Sequence, residues 1–343
     1  MNCFSTRIVL WQRVQGRHDL PWQCSDPYRI WLSEIMLQQT QVATVIPYFE
    51  RFIARFPNLT CLAAADEDAV LALWSGLGYY SRARNLHAAA RKIAHEHDGL
   101  FPDTAVELVK LPGIGRSTAA AIAALAFGKR AAILDGNVKR VLARHGGIAG
   151  WPGEKSVAAQ LWQIADARLP AQAIGTYTQG MMDLGATICT RSKPRCGACP
   201  VQADCTALAQ DRVADYPAAR PRRALPDKQT QLLLCRHGDQ LLLEKRPARG
   251  IWGGLWSLPE LDAAHNAADH SQQIWGHTPA RLTRLPLLTH SFTHFRLHIQ
   301  PVRLDFASRP ALAHGQRWHS LDDALNAALP APVRTLLQIH FNV

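Results

Sequence analysis

Four closely spaced cysteines limit what this chain can fold into more than any other feature of its sequence. Eight cysteines are present, and four of them fall between positions 189 and 205: Cys189, Cys196, Cys199 and Cys205. The sequence gives no role to the scattered remainder: Cys3, Cys24, Cys61 and Cys235. In a chain without an export signal, such a cluster favours metal ligation over disulfides. Four thiolates suit zinc or a 4Fe-4S cluster, and their unequal spacing favours one 4Fe-4S cluster with a structural role.

Length and charge narrow the class of protein further. A chain of 343 residues predicts two domains, each with its own core. It carries 38 Lys and Arg against 27 Asp and Glu, a formal charge of +11, which favours a polyanionic partner. Charge alone leaves a merely basic protein open as the alternative. Without a membrane-spanning apolar run or a signal peptide, we expect a cytoplasmic protein with no membrane partner.

Residues 1–211 read as an all-α region, because Ala-rich segments place apolar residues three and four positions apart. Asp26 and Pro27 predict the start of a long helix that runs through Ile46. Glycines predict the ends of later helices: Gly76, Gly78, Gly99 and Gly128. Residues 212–228 predict a basic linker, because they combine prolines and arginines with little apolar periodicity: Pro217, Arg220, Pro221, Arg222, Arg223 and Pro226.

Residues 229–343 predict a small α+β domain. Segments 231–236 and 240–246 flank a His-Gly-Asp turn, which is a hairpin signal. Phe295, Leu297 and Ile299 alternate with polar residues, as in a strand with one buried face.

A glycine turn in the helical region has the features of a phosphate site. Leu111, Gly113 and Gly115 belong to a tight turn that feeds a helix over 116–127. Glycines let backbone amides approach a phosphate, and the helix dipole favours the anion, so the turn can hold DNA without reading bases. Taken alone, such a turn is more often a plain connection.

Two carboxylates are candidates for catalysis. Asp135 stands at another predicted helix start, where it is either an ordinary cap or a buried carboxylate facing a reaction centre. Glu34 lies in an otherwise apolar helical turn, and burial there would raise its pKa and make it a proton donor. A pair of carboxylates in unlike environments is what cleavage of a glycosidic bond requires.

The motifs together resemble the adenine DNA glycosylases of the MutY type, within the helix-hairpin-helix superfamily that also contains endonuclease III. The resemblance spans nearly the whole chain and rests on several segments in one order: LPW at 20–22, SEIMLQQTQVATVIPYF at 33–49, GLGYYSRARNL at 76–86, LPGIGRSTAAAI at 111–122, LDGNVKR at 134–140, QGMMDLGATIC at 179–189 and the four cysteines. It implies a DNA glycosylase that excises adenine opposite 8-oxoguanine or guanine in double-stranded DNA, acting as a monomer on the bacterial nucleoid.

The resemblance also implies residue roles. Glu34 would protonate adenine, Asp135 would stabilise the sugar cation, and the turn from Leu111 to Gly115 would grip phosphate. Two residues would wedge into the duplex and two would form the adenine pocket: Gln39 and Tyr79, and Trp22 and Gln179, respectively. Lys139 belongs to the same DNA-binding set. Ser117 stands where endonuclease III has its Schiff-base lysine, so strand cleavage is not expected.

The carboxy-terminal domain resembles the Nudix-like 8-oxoguanine-sensing domain of the same family. Its lesion-reading loop would be Phe292, Thr293 and His294, with Thr where the family commonly has Ser. No cluster of glutamates follows Pro259 to hold magnesium, which argues against nucleotide hydrolysis. Two rival functions stay open: an endonuclease III-like pyrimidine glycosylase with lyase activity, and a non-catalytic iron-sulfur DNA-binding protein.

Overall fold

The computed structural model describes residues 3–221 and 224–341, so the predicted linker arginines Arg222 and Arg223 lie outside the described residues. Contacts divide the described chain into two compact units: residues 3–64 with 85–221, and residues 65–84 with 224–341. The predicted domain boundaries at 211 and 228 therefore stay predictions. The contacts add one feature that the sequence did not indicate, which is the grouping of residues 65–84 with the carboxy-terminal unit.

The described secondary structure of the first unit is entirely helical, as predicted. Its elements are α1 (Phe4–Gln15), α2 (Pro27–Met36), α3 (Val42–Arg55), α4 (Leu59–Ala63), most of α6 (Ser81–Glu96), α7 (Ala105–Leu108), α8 (Arg116–Phe127), α9 (Gly136–Gly146), α10 (Lys155–Ala167), α11 (Ile174–Asp183) and α12 (Thr206–Ala209). A π-helical turn, Leu184–Ile188, continues α11. The predicted stops are confirmed, because α6 ends before Gly99 and Gly128 caps α8 in a left-handed conformation.

The expected long helix from Pro27 through Ile46 is wrong. Asp26 does cap α2, since its Oδ1 accepts a hydrogen bond of 2.9 Å from the Tyr28 amide. However, α2 ends at Met36, and α3 begins only at Val42. The residues between them are mostly polar and interrupt the apolar pattern, and Gln39 adopts φ +58°, which an α-helix does not contain. The resulting turn borders the candidate site.

The core of the first unit depends on close helix contacts. In α8, the alanines from Ala119 to Ala124 are buried, so this helix packs tightly against α2 and α11. A side chain at Gly180 of α11 would lie 2.9 Å from Ile8 Cγ2 of α1, so glycine permits the approach of these two helices. This packing fixes the elements that carry the candidate site residues.

The second unit is an α+β fold, as predicted. Its strands are β1 (Asp227–His237), β2 (Gln240–Lys245), β3 (Trp256–Ser257), β4 (Glu260–Asp262), β5 (Arg281–Arg284), β6 (Leu288–Ser291), β7 (Arg296–Asp305) and β8 (Gln316–Ser320). Its helices are α5 (Glu67–Trp74), α13 (Ala267–Trp275), α14 (Leu321–Asn326) and α15 (Ala331–Phe341). The sheet has the order β3-β2-β1-β7-β5; β4 also pairs with β1, β6 with β7 and β8 with β2.

Both strand predictions for this unit are confirmed. The hairpin of β1 and β2 pairs Arg236 with Leu241 in antiparallel register around the His-Gly-Asp turn. Along β7, Leu297 and Ile299 are buried while the residues between them keep accessible surface. Because β1 and β7 are parallel neighbours at the centre of the sheet, their buried side chains form the core with α13.

The predicted linker is not extended throughout. Tyr216 is buried, and its carbonyl oxygen accepts a 2.9 Å hydrogen bond from Arg144 Nε. The Ala218 amide donates to the Gly150 carbonyl at 3.1 Å. At the other end, β1 already begins at Asp227. Over the described ranges, no helix combines the length and apolar character needed to cross a bilayer.

The glycine turn before α8 generates a stability prediction. Gly113 has φ +76°, and a Cβ atom there would lie 2.7 Å from Asn85 Cβ, so Gly113→Ser should destabilise the fold by about 2 kcal/mol. The control is Gly115→Ser, two residues later, because Gly115 has open space and is the N-cap of α8, where serine is favoured. Thermal unfolding should show a large loss for the first variant alone; equal losses would contradict the steric argument.

Candidate active site

One cavity of about 720 Å³ in the first unit brings both candidate carboxylates together. Glu34 reaches it from α2, and Asp135 reaches it from the residue before α9. Ser117 of α8 and Gln39 of the α2–α3 turn also line it, so four of the predicted site residues share this cavity. Gln39 lies in the turn between α2 and α3, and residues 37–41 of this turn all line the cavity.

The surroundings of Glu34 favour the protonated form of its carboxyl group. Its neighbours Ser33 and Ile35 are buried, and Glu34 as a whole residue keeps only part of its accessible surface. Burial raises the pKa of Glu34 from its ordinary value of 4.5 to about 8, and the nearby charge of Asp135 contributes in the same direction. The group is therefore mostly protonated at neutral pH.

Asp135 has a different environment. Its Oδ1 accepts a 2.8 Å hydrogen bond from the Val138 amide, so the helix-cap interpretation is confirmed, and the same carboxylate faces the cavity. Burial raises its pKa, while the amides of Val138 and Asn137 and the positive charge of Arg140 favour its ionised form. Burial is the largest influence on both groups and raises both pKa values, but only Asp135 has amide donors and a nearby cation that favour its ionised form.

Ser117 positions the segment that precedes Asp135. Its hydroxyl oxygen accepts a hydrogen bond of 2.9 Å from the Leu134 amide. Ser117 therefore has a structural contact of its own, immediately before the acidic residue.

A buried ion pair that the sequence did not indicate borders the same cavity. Arg17 lines the cavity, and its Nη2 lies 2.6 Å from Oδ1 of Asp183, a fully buried carboxylate. Gln179 Nε2 donates to the same oxygen at 2.8 Å, and the Arg17 amide donates to Oδ2 at 2.9 Å. Arg17 follows a helix in a segment with no periodic pattern, so no signal in one sequence could have singled it out.

The remaining predicted residues of this unit do not line the cavity. Trp22 is buried with its ring edge-to-face with Phe49 at 5.4 Å, and Gln179 is buried behind Arg17. Leu111 is buried beneath the glycine turn. Lys139 of α9 lines a separate groove together with Arg140 and Arg144 of the same helix.

The four clustered cysteines line one small cavity with Arg144, Ile188 and Pro194. Within residues 3–221 and 224–341, no three Cys, His, Asp or Glu side chains are close enough to share one metal ion. Four thiolates from one short loop that line one cavity fit an iron-sulfur cluster by the chemistry of the donor set.

Two arginines of α9 join this cysteine loop to the carboxylate end of the helix. Arg140 Nε donates to the Cys189 carbonyl at 2.7 Å, and its Nη2 donates to Asn137 Oδ1 at 2.9 Å. Arg144 is buried, and it donates to the Thr190 carbonyl at 2.6 Å and to Cys189 Sγ at 3.4 Å. The loop and Asp135 are thereby fixed to one rigid element.

The predicted lesion-reading residues line a separate cavity of about 600 Å³ in the second unit. The Phe292 ring stacks on Phe295 at 4.4 Å, whereas Thr293 and His294 are exposed at the cavity surface. Tyr79, which belongs to the segment 65–84, lines the same cavity and adopts φ +51°. Three loops of the unit thus meet here, including the one that holds Trp252.

Comparison with known proteins agrees with this arrangement. Residues 32–167 match the HhH-GPD superfamily of base excision DNA repair proteins, residues 189–205 match the iron-sulfur binding domain of endonuclease III, and residues 230–338 match the NUDIX domain. The fold and these sites define a base excision DNA glycosylase of the helix-hairpin-helix class with an iron-sulfur cluster and a Nudix-like domain. An adenine DNA glycosylase of Buchnera aphidicola subsp. Acyrthosiphon pisum is 38% identical over 98% of this chain and 97% of that protein.

More distant relatives extend the same result. The adenine DNA glycosylase of Mus musculus is 34% identical over 99% of this chain and 78% of its own length. Among solved structures, a thermostable thymine-DNA glycosylase is 28% identical with a TM-score of 0.54, covering 60% of this chain and 95% of that one. The chain belongs to the adenine DNA glycosylase family. It is an enzyme of base excision repair that acts on DNA and hydrolyses an N-glycosyl bond.

The raised pKa of Glu34 predicts how stability depends on pH. Between its ordinary value of 4.5 and about 8, the unfolded chain has lost this proton while the folded chain keeps it, so the carboxyl group destabilises the fold increasingly as pH rises. Glu34→Gln removes that dependence, and its melting temperature should gain on the wild type from pH 5 to 8 and then level off. Glu50→Gln, exposed on α3, is the control for loss of charge. A constant difference across this range would contradict a buried, protonated Glu34.

Proposed function

We propose that this enzyme excises adenine mispaired with 8-oxoguanine or guanine and leaves an abasic site without cleaving the strand. The observation that carries the proposal is the single cavity that holds Glu34 and Asp135 in unlike environments, in a chain of the adenine DNA glycosylase family. The substrate is double-stranded DNA, and the proposal includes a monomer that acts on chromosomal DNA in the cytoplasm.

The reaction begins with a flipped adenine, because its N7 and the sugar carbon cannot be reached inside a duplex. A cavity of about 720 Å³ is large enough for a nucleoside. Glu34, protonated at neutral pH, donates its proton to N7 and turns adenine into a better leaving group. The bond between the base and the sugar then breaks, and the electron pair leaves with the base.

Asp135 stabilises the cationic sugar that remains. Two backbone amides and Arg140 favour its charge against the burial that raises its pKa, and these groups are in place before the reaction. Stabilisation is electrostatic or proceeds through a transient covalent bond, and water completes the reaction to an abasic site in either case.

The adenine pocket is built in layers. Arg17 faces the cavity, Asp183 holds Arg17, and Gln179 holds Asp183. In this proposal Gln179 therefore acts as a positioning residue, and Trp22, which packs against Phe49 in the core, helps to form the adenine pocket. A polar group fixed by a buried ion pair discriminates well between bases, because a mismatched edge leaves it without a partner.

The absence of strand cleavage is supported by the cavity lining. Schiff-base chemistry needs an amine beside the sugar carbon. Ser117 occupies the superfamily lysine position, and among the described residues that line the cavity there is no lysine. Water, not an amine, is therefore the nucleophile available to complete the reaction.

The cluster proposed for the four cysteines is of the 4Fe-4S type. Four thiolate ligands from one short loop provide one ligand for each iron of such a cluster. When bound, the cluster supplies a rigid centre for the loop, and Cys189, Cys196, Cys199 and Cys205 would hold it.

Removal of either carboxyl group should stop excision while leaving the complex with DNA intact. Glu34→Gln keeps the shape but loses the proton, so single-turnover excision from an A:8-oxoguanine duplex should fall at least about 100-fold. Asp135→Asn should also lower excision strongly, because asparagine still caps α9 but carries no charge. Affinity for the duplex should stay near that of the wild type. Near-normal excision by Glu34→Gln would sink the assignment.

The proposed lack of lyase activity has its own test. Borohydride treatment during turnover should trap little covalent adduct with DNA, compared with endonuclease III under the same conditions. If trapping is efficient, Lys139→Ala identifies whether the nearest lysine of α9 is responsible. Efficient trapping by the wild-type enzyme would refute a purely hydrolytic reaction, and trapping that survives Lys139→Ala would mean that another amine forms the adduct.

Recognition of 8-oxoguanine is assigned to the cavity of the second unit. The lesion differs from guanine at its C8 carbonyl and its N7 hydrogen, so a reader must offer a donor and an acceptor near those atoms. The Thr293 hydroxyl provides both, and His294 adds ring nitrogens. Exposure of both side chains beside the stacked Phe292 and Phe295 suits contact with a base. Tyr79 would wedge into the duplex from the same cavity, as would Gln39 from the first unit.

The double variant Thr293→Ala/His294→Ala tests this assignment. Loss of the hydrogen bonds should reduce discrimination between A:8-oxoguanine and A:G duplexes by about 1–3 kcal/mol. The chain offers a matched control, His277→Ala/Thr278→Ala, which changes the same residue types in the same unit away from this cavity. If the first double variant keeps the wild-type ratio of excision rates, this loop is not the reader.

A further inference from the structure

The loop that joins β2 to β3 reaches the cavity of the second unit to which recognition of 8-oxoguanine is assigned above. Residues 250–253 of this loop line that cavity, together with residues 290–295. The loop folds back on itself, because the Leu255 amide donates to the Trp252 carbonyl at 3.1 Å. It is therefore part of the wall of the cavity as well as a connection between two strands.

Trp252 has a backbone conformation that a bulky side chain rarely adopts. Its φ is +55°, in the left-handed region, where the Cβ atom crowds the backbone. The loop also contains Gly250 and Gly254, both with positive φ, so the tryptophan occupies a strained position between two residues that suit such a conformation. Strain of this kind persists only where the surroundings favour it. Here they do so through burial of the indole, since Trp252 is only 8% exposed.

The buried indole packs against the base of the lesion-reading turn. The ring centre of Trp252 lies 5.8 Å from that of Phe292 and 6.2 Å from that of His290. The His290 ring itself lies edge-on to Phe292 at 4.7 Å, and Phe292 stacks on Phe295 at 4.4 Å. Trp252 thus joins this group of rings from outside the hairpin of β6 and β7.

The two reader side chains are carried by one short turn. The Phe292 amide donates to the Phe295 carbonyl at 2.9 Å, which closes the turn around Thr293 and His294. Both of these side chains are exposed, and Thr293 Oγ1 lies 3.4 Å from His294 Nδ1. Because neither is buried, their placement depends on how firmly the rings of Phe292 and Phe295 are fixed beneath them.

Arg84, in the first turn of α6, holds the loop in place. Its Nη1 donates to the Gly253 carbonyl, immediately after the strained tryptophan. The guanidinium also lies against the backbone at Gly254, where a Cβ atom would be 3.4 Å from Nη1. Arg84 lines the same cavity and belongs to the same unit. The loop is therefore fixed at the position that determines where the indole packs.

We propose that Trp252 is a positioning residue for the discrimination of 8-oxoguanine from guanine. The inference rests on the lesion-reading role proposed above for Thr293 and His294. The indole fixes Phe292, the Phe292 ring and amide fix the turn, and the turn presents the two polar side chains in one arrangement. A polar pair that is already ordered discriminates better between similar bases, because ordering it during binding costs free energy.

Trp252→Leu tests the proposal on the full chain. The measurement is the ratio of single-turnover excision rates on A:8-oxoguanine and A:G duplexes, and loss of the ring contacts should lower this ratio about two- to ten-fold. Trp252→Phe keeps a ring at the position and should retain most of the wild-type ratio. Arg84→Met removes the donor to the Gly253 carbonyl but leaves the indole, and it should lower the ratio in the same direction.

The matched control is Trp318→Leu. Trp318 is 7% exposed, and its ring contacts that of His237 at 6.5 Å in the same unit, but it does not line the cavity. Both leucine variants should lower the melting temperature, because each empties a buried site. Only the change at Trp252 should alter the ratio of excision rates.

Combination with Thr293→Ala/His294→Ala separates this proposal from the function on which it rests. If Trp252 acts through the reader side chains, Trp252→Leu should change the ratio no further in that background. A further loss in the triple variant would mean that the tryptophan acts by another route, and the positioning role would be wrong.

The remaining outcomes are equally decisive. A wild-type ratio in Trp252→Leu or in Arg84→Met would overturn the proposal, and the arginine variant decides the matter if the leucine variant does not fold. An equal loss in Trp318→Leu or in Trp252→Phe would also overturn it. If Thr293→Ala/His294→Ala alone keeps the wild-type ratio, the lesion-reading role of the turn fails, and the positioning role fails with it.

Discussion

The candidate site depends first on the hydrogen bonds that tie α9 to the cysteine loop. Arg140 and Arg144 lie one turn apart on this helix, and both donate to the start of the loop. The same helix begins at the amides that bind Asp135. Any displacement of the loop is therefore transmitted to the carboxylate through a single rigid helix. This explains how a cluster with no part in the reaction would still determine whether the site is assembled correctly.

Within that framework, the two carboxyl groups influence each other. Negative charge on Asp135 helps to keep the proton on Glu34, since two nearby anions in a poorly solvated cavity repel each other. The amides and Arg140 favour the ionised form of Asp135 alone, against the burial that raises its pKa. The assignment of acid and anion is thus a property of the pair and of its asymmetric surroundings. A substitution at either position changes the proton affinity of the other.

Much of this arrangement follows local rules and was predictable from the sequence. The cap at Asp26, the cap at Asp135 and the alternation in β7 each arise from neighbouring residues, so one chain is enough to indicate them. The sequence did not indicate the break after Met36, because the apolar residues before and after it together resemble the pattern of one continuous helix. The left-handed backbone conformation of Gln39 has no sequence signature either. The ion pair of Arg17 and Asp183 was also missed, since its partners are 166 positions apart and meet only through packing.

The grouping of residues 65–84 with the carboxy-terminal unit has a consequence for biosynthesis. Ser75 and Tyr80 both donate to the Leu329 carbonyl, and Trp256 Nε1 donates to Asp68 at 3.1 Å. The ribosome releases α5 long before β1, with residues 85–222 made in between. Until the residues around Trp256 and Leu329 have been synthesised, these hydrogen bonds cannot form, so the early segment completes its packing only at the end of synthesis.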